Sequence, residues 1–145
     1  MSEEQQKLLV PFSFTKKSEM ALEFGLRYSQ TMQASIYLFH VYEESSSDFR
    51  KVDKLNEEYL DRMKQIVMST VNRLQEQGLT HTVDSVFRRI AHGKPSVEIL
   101  KMAGGIGADV IIMGAPESSA FKKLVAKSPC TLVLVKEKDP AFVMV

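Results

Sequence analysis

A chain of 145 residues has the size of one compact domain, with no room for a catalytic domain beside a regulatory one. Its 44% apolar content, with only seven Gly and five Pro, fills one core and excludes collagen, disorder and a membrane-spanning bundle. Nineteen basic against eighteen acidic residues leave a net charge of +1, so no broad field attracts nucleic acid or an anionic membrane. Cys130 is the one cysteine, which forbids an internal disulfide and a cysteine-cluster metal site. Residues 1–7 are too polar for a secretory leader, and the expectation is a reduced, cytoplasmic protein.

Residues 7–13 (KLLVPFS) form a short apolar run that predicts a buried strand leaving its ladder at Pro11. Between residues 18 and 33, Met20, Ala21, Phe24, Tyr28 and Met32 recur at helical spacing and predict an amphipathic helix. Residues 35–42 (SIYLFHVY) are rich in β-branched and aromatic types and read as a second strand. A long helix follows, its inward stripe marked by Val52, Leu55, Tyr59, Met63, Ile66, Thr70 and Leu74, with Gly78 as its stop.

Residues 83–90 (VDSVFRRI) predict a third strand, polar enough for a sheet edge with one wet face. Pro95 suits the first turn of a third helix, where its missing N–H has no partner to lose. Residues 109–114 (DVIIMG) have the pattern of a strand covered on both faces, and residues 131–136 (TLVLVK) that of a fifth strand. Residues 118–127 between them read as a short helix with a hydroxyl cap. Five strands alternating with four helices predict an α/β fold, a single doubly wound parallel sheet with right-handed crossovers. The final PAFVMV places four apolar residues at a terminus, where something has to cover them.

No catalytic constellation emerges. Gly104, Gly105 and Gly107 in AGGIGA resemble a dinucleotide loop, but they close a helix and precede a strand, the reverse of what pyrophosphate binding requires. Thr15-Lys16-Lys17-Ser18 resembles the end of a P-loop, yet no glycine lies between Lys7 and Ser18 to let the backbone curl around a phosphate. His40, His81 and His92 are too far apart for a helical zinc pair. His40 reads as a core residue in mid-strand, and His92 as a loop histidine with neither base nor orienting acid beside it. Ser13 lacks a nucleophile elbow, and Cys130 reads as a small packing residue. Ligands of doubly wound sheets bind beyond the carboxyl ends of the strands where their order reverses, so the lips of a crevice are expected near residues 11–15 and 114–119.

The runs LLVPFSFTKKSEMALEFGLRYSQ, ASIYLFHV, GKPSVEILKMAGGIGADVIIMGA and SSAFKKLVAKSPCTLVLVK together resemble the universal stress protein family along almost the whole chain. The resemblance implies strand order 3-2-1-4-5, a domain over residues 1–138 with 139–145 as an apolar tail, and no enzymatic activity. It also implies a homodimer paired through the edge of the fifth strand at Thr131, Leu132, Val133, Leu134 and Val135. Family members that bind ATP carry a glycine, two residues, a second glycine, nine residues, then glycine and Ser or Thr after strand four. Here Gly114 matches the first glycine, Glu117 stands at the second, Ser118 and Ser119 fall on the closing pair, and the nine-residue stretch is missing. Where ATP binders place an aspartate after strand one, this chain has Ser13.

Hydrogen bonds to charged groups contribute about 1.5–3 kcal/mol each, so losing two or three phosphate contacts costs roughly 3–9 kcal/mol. Micromolar binding amounts to about 8 kcal/mol in all. A carboxylate at Glu117, at about 5 Å from phosphate and an effective dielectric near 20, adds roughly 3 kcal/mol of repulsion per charge. The expectation is a stress-response regulator or adaptor that works as a homodimer through a protein partner, with no tightly held cofactor and no metal. The alternative is an adenine nucleotide, ATP or AMP, in a crevice lined by Pro11, Phe12, Ser13, Val41, Met113, Gly114, Ala115, Ser118 and Ser119.

Overall fold

The computed structural model describes residues 5–43, 48–116, 120–136 and 142–144. In chain order the elements are β1 (Lys7–Pro11), α1 (Lys16–Met32), β2 (Ser35–Tyr42), α2 (Phe49–Gln75), a 3₁₀ turn (Val83–Ser85), β3 (Val86–His92), α3 (Pro95–Ile106), β4 (Val110–Gly114), α4 (Ala120–Lys127), β5 (Thr131–Val135) and β6 (Phe142–Met144). The sheet order is β3-β2-β1-β4-β5-β6. The first five strands are parallel, in the order the resemblance implied.

Alternation along the buried strands splits the core into two layers. Leu8, Val10, Ile36, Leu38, Val110, Ile112 and Val133 face α1 and α2, where Leu22, Leu26, Met63, Val67, Val71 and Leu74 meet them. Leu9, Phe39, Ile111, Leu132 and Leu134 face the other way, onto Ile99 and Ala103 of α3 and Leu124 of α4. Buried on both faces, the central strands carry the continuous apolar runs that parallel sheets need.

Two details depart from expectation, each for a local reason. The buried face of α1 consists of Ser18, Ala21, Leu22, Gly25, Leu26 and Ser29, while Met32 is 46% exposed. Small residues set this face: a Cβ on Gly25 would lie 3.0 Å from Val10 Cγ2, so the helix sits close to the sheet and pushes Phe24 and Tyr28 to the rim. The third strand begins at Val86 because Thr82 and Ser85 form a capping box that turns residues 83–85 into 3₁₀ helix. Among the described residues β3 pairs only with β2, and Phe87 is 41% exposed, as an edge with one wet face requires.

One arrangement not expected from the sequence concerns the strand named for pairing with a second copy. Here β5 is flanked on its outer side by β6 of the same chain, antiparallel, with Val133 opposite Met144, Leu134 opposite Val143 and Val135 opposite Phe142. Val133–Val135 thus have a strand on both sides, β4 on one and β6 on the other. The AGGIGA glycines behave as read: α3 closes at Gly107, whose φ of 68° suits a residue without Cβ, and β4 follows.

Candidate functional site

Strand order reverses between β1 and β4, and a cavity of about 560 Å³ opens there beyond their carboxyl ends. Pro11, Phe12, Ser13, Val41, Met113, Gly114 and Ala115 line it, so seven of the residues singled out in the sequence come together. Ser118 and Ser119 lie outside the described residues, as does Glu117 with its expected repulsion. Thr15, Lys16, Lys17 and Ser18 at the start of α1 complete the wall, with Phe39, Pro95, Ile99 and Pro116.

The backbone explains the shape. Pro11 ends β1, and Phe12 N–H still reaches back to Phe39 O at 2.7 Å before the chain turns through Phe14, whose φ is 58°. His40 fixes this exit: its Nδ1 lies 2.7 Å from Phe12 O, and since a carbonyl only accepts, Nδ1–H is the donor. His40 is buried among Phe14 and Tyr59, with ring centroids at 4.7 and 4.5 Å. Burial holds its pKa below the ordinary histidine value; the bond to Phe12 O opposes this, and the nearby Arg62 cation reinforces it. His40 is therefore a neutral strut, as its mid-strand position suggested.

Helix α1 points its N-terminus into the cavity, the usual arrangement for holding an anion. Two of its backbone donors are engaged by the chain itself. Thr15 Oγ1 accepts from Ser18 N–H at 3.2 Å, and Ser18 Oγ accepts from Thr15 N–H at 3.0 Å. Lys17 Nζ donates to Ala115 O at 3.4 Å, which ties the ammonium to the segment leaving β4. On that opposite lip Gly114 packs directly on α1: a Cβ there would lie 2.7 Å from Lys17 Cβ and 2.9 Å from its carbonyl carbon.

The rest of the wall is mostly apolar, with Val41, Phe39, Met113 and Ile99 among its lining residues. Only residues 115–119 connect β4 to α4, so no long loop follows the first glycine. His92 is not part of this wall; it stacks on Tyr42 at 5.3 Å, and Ser13 Oγ lies 3.1 Å from Thr15 Oγ1. Burial raises the Cys130 thiol pKa, in keeping with a packing role. Among the described residues no group of three His, Cys, Asp or Glu side chains gathers to hold a metal, and no helix is long and apolar enough to cross a membrane. Sequence reasoning missed Lys16, Lys17 and Ser18 as wall residues; the TKKS run after a strand was the signal, discounted with the P-loop it does not form.

Comparison with known proteins agrees with this architecture. The model of the Universal stress protein family matches residues 5–136. Universal stress protein MJ0577 of Methanocaldococcus jannaschii is 26% identical, over 99% of this chain and 97% of its own. Among solved structures, a universal stress protein in complex with cAMP aligns with TM-score 0.68 at 18% identity, covering 90% of this chain and 96% of that one. The universal stress protein of Archaeoglobus fulgidus in complex with dAMP aligns with TM-score 0.62 at 12% identity, covering 90% and 97%.

Proposed function

This chain belongs to the universal stress protein family, and from that premise we propose that it is a non-catalytic regulator or adaptor that does not hold ATP tightly and whose output is a protein contact. The observation that carries the reading is the short connection from Gly114 to Ala120, opposite a helix N-terminus at which Thr15 and Ser18 already take up each other's N–H groups. A triphosphate needs several well-aimed donors, and with two or three missing, most of the roughly 8 kcal/mol that micromolar binding represents is gone. Isothermal titration with ATP and Mg²⁺ tests this. The expected dissociation constant is weaker than about 10 μM, and tighter binding rejects the proposal.

A second reading keeps an adenine compound with fewer phosphates in the same cavity, its base against Val41, Phe39 and Met113 and its ribose near Ser13. The volume of about 560 Å³ favours it, as do the cAMP and dAMP named for two structural relatives. The chain has no Trp and four Tyr, so a purine carried through purification stands out as excess absorbance near 260 nm. A protein-only spectrum, together with no heat of binding on adding AMP, rejects this second reading.

A further inference from the structure

Strand β3 ends the sheet on the side away from β5, and among the described residues it pairs with β2 alone. At seven residues it is longer than the five or six of an ordinary strand, and its outer N–H and C=O groups form a row open to another strand. Helix α2 packs on the face of β3 that carries Val86 and Ile90, whereas α3 sits over β1 and β2. The other face of β3 therefore stays open. Phe87 is 41% exposed there, with Arg89 exposed beside it. Tyr37 of β2 stacks on Phe87 with ring centroids 4.9 Å apart, and the Arg89 guanidinium lies 5.7 Å from each ring. Arg89 Nη1 donates to Arg88 O at 3.0 Å, which holds the guanidinium at the edge with its other donors left over. Among the described residues neither Arg88 nor Arg89 pairs with a carboxylate, and β2 and β3 contain none.

We propose that the outer edge of β3 is a docking site for an extended segment of a partner protein, added as a further strand and recognised by two adjacent carboxylates flanked by apolar side chains. Consecutive strand residues point to opposite faces, so Arg88 and Arg89 present one cation on each face, between Phe87 and Ile90. A segment reading apolar, acidic, acidic, apolar sets a carboxylate against each guanidinium and an apolar group against Phe87 and Ile90, whichever way it runs. The same two arginines disfavour a second copy of this chain as the occupant. Antiparallel pairing of β3 with itself centred on Arg89 sets Arg89 against Arg89, centred on Arg88 it sets Arg88 against Arg88, and centred between them it sets one against the other. A nucleic-acid strand fits poorly too, because it needs a run of basic and aromatic groups, and here two cations and one ring pair stand on a chain of net charge +1. No residue of β3 lines the cavity, so the contact and the cavity occupy separate places. This inference rests on the reading that the output is a protein contact, and gives that contact a place and a chemistry.

Fluorescence anisotropy of a labelled peptide STVEEVTS, with STVKKVTS as its charge-reversed control, tests this on the full chain, and hydrogen exchange of the amides at 86–92 is followed in parallel. The expected result is saturable binding of the acidic peptide, about tenfold tighter than the basic one and weakened by salt, with those amides protected. R88E/R89E should reverse the preference. R89Q, which changes only the exposed guanidinium, should cut it to about threefold and keeps the test available if the double variant does not fold. Equal affinity for the two peptides, or a preference that R89Q leaves unchanged, overturns the proposal. Acidic-peptide binding that leaves 86–92 unprotected overturns the choice of surface and keeps the protein-contact reading. Protection of 86–92 that rises with protein concentration in the absence of peptide assigns the edge to a second copy, and tighter binding of oligo(dT) than of the acidic peptide assigns it to nucleic acid; either overturns the proposal. Failure of both peptides to bind overturns it as well, without touching the reading beneath it, which fails separately if ATP binds tightly in the titration above.

Discussion

Replacing Gly114 by Ala probes the joint between β4 and α1 on which the cavity depends. The added methyl would lie 2.7 Å from Lys17 Cβ, 2.9 Å from its carbonyl carbon and 3.0 Å from its carbonyl oxygen. Ordinary contact begins at 3.4 Å, so strand end and helix must part by about 0.7 Å. Two of the three atoms are backbone, and Lys17 lies in the first turn of a helix whose Ala21, Leu22 and Gly25 are already seated on the sheet. No side-chain rotation relieves the clash. Overpacking of this kind costs about 1–3 kcal/mol, which for a domain of this size lowers the melting temperature by roughly 2–12 °C. Urea unfolding monitored by circular dichroism measures the loss directly, with an unchanged slope expected because the folded surface is the same. Stability within about 0.5 kcal/mol of the parent chain would refute the reasoning, because β4 and α1 would then not be in the contact that shapes the site.

Other substitutions test other parts of the structure. Gly104→Ala and Gly105→Ala fall inside α3 with nothing within 4 Å of the new methyl, and each is expected to stabilise by about 0.5–1 kcal/mol in the same assay. His40 and His81 both have pKa values lowered in the folded state, for each chiefly by burial. The unfolded chain therefore binds protons more readily, so stability is fully present above the unfolded value near 6.5 and falls as pH drops through it toward the lowered folded values. For His40 the slope is at most about 1.4 kcal/mol per pH unit, and H40N, whose amide can still donate to Phe12 O, should remove that share of it in urea titrations between pH 7 and 5. Glu23 bridges the two helices of one layer: Arg73 of α2 donates to it at 3.0 Å, which lowers its carboxyl pKa, with Arg27 a lesser cause. A double-mutant cycle on Glu23 and Arg73 should return a coupling of only about 0.2–1 kcal/mol, because both side chains remain partly in water.

The element types were legible because each layer imposes its own periodicity. Residues 109–114 read as a central strand because both faces are covered, and Pro95 marked the start of α3 because only a first turn tolerates its lost donor. Strand order was not legible in spacing at all; it came with the family resemblance carried by residues spread over the chain. The inward face of α1 was misplaced because apolar pattern favours large side chains, while close approach to a sheet selects Gly25 and Ser29. Within the site, Pro11, Ser13, Met113 and Gly114 were found because the lips of a doubly wound sheet follow from strand ends. Lys16, Lys17 and Ser18 were missed because they wall the cavity as a helix start and not as a glycine loop. The tail announced that it needed cover, but its partner strand, being distant in pattern and opposite in direction, left no local mark.

The central claim is that the cavity between β1 and β4 has room for a ring and too few donors for a triphosphate. Titrating the same protein sample with adenosine, AMP and ATP–Mg²⁺ at one ionic strength tests it most directly. The predicted result is that ATP binds no more tightly than AMP, the added phosphates contributing nothing. A gain of tenfold or more from AMP to ATP, about 1.4 kcal/mol, would contradict it, because the added phosphates would then be finding contacts in this chain.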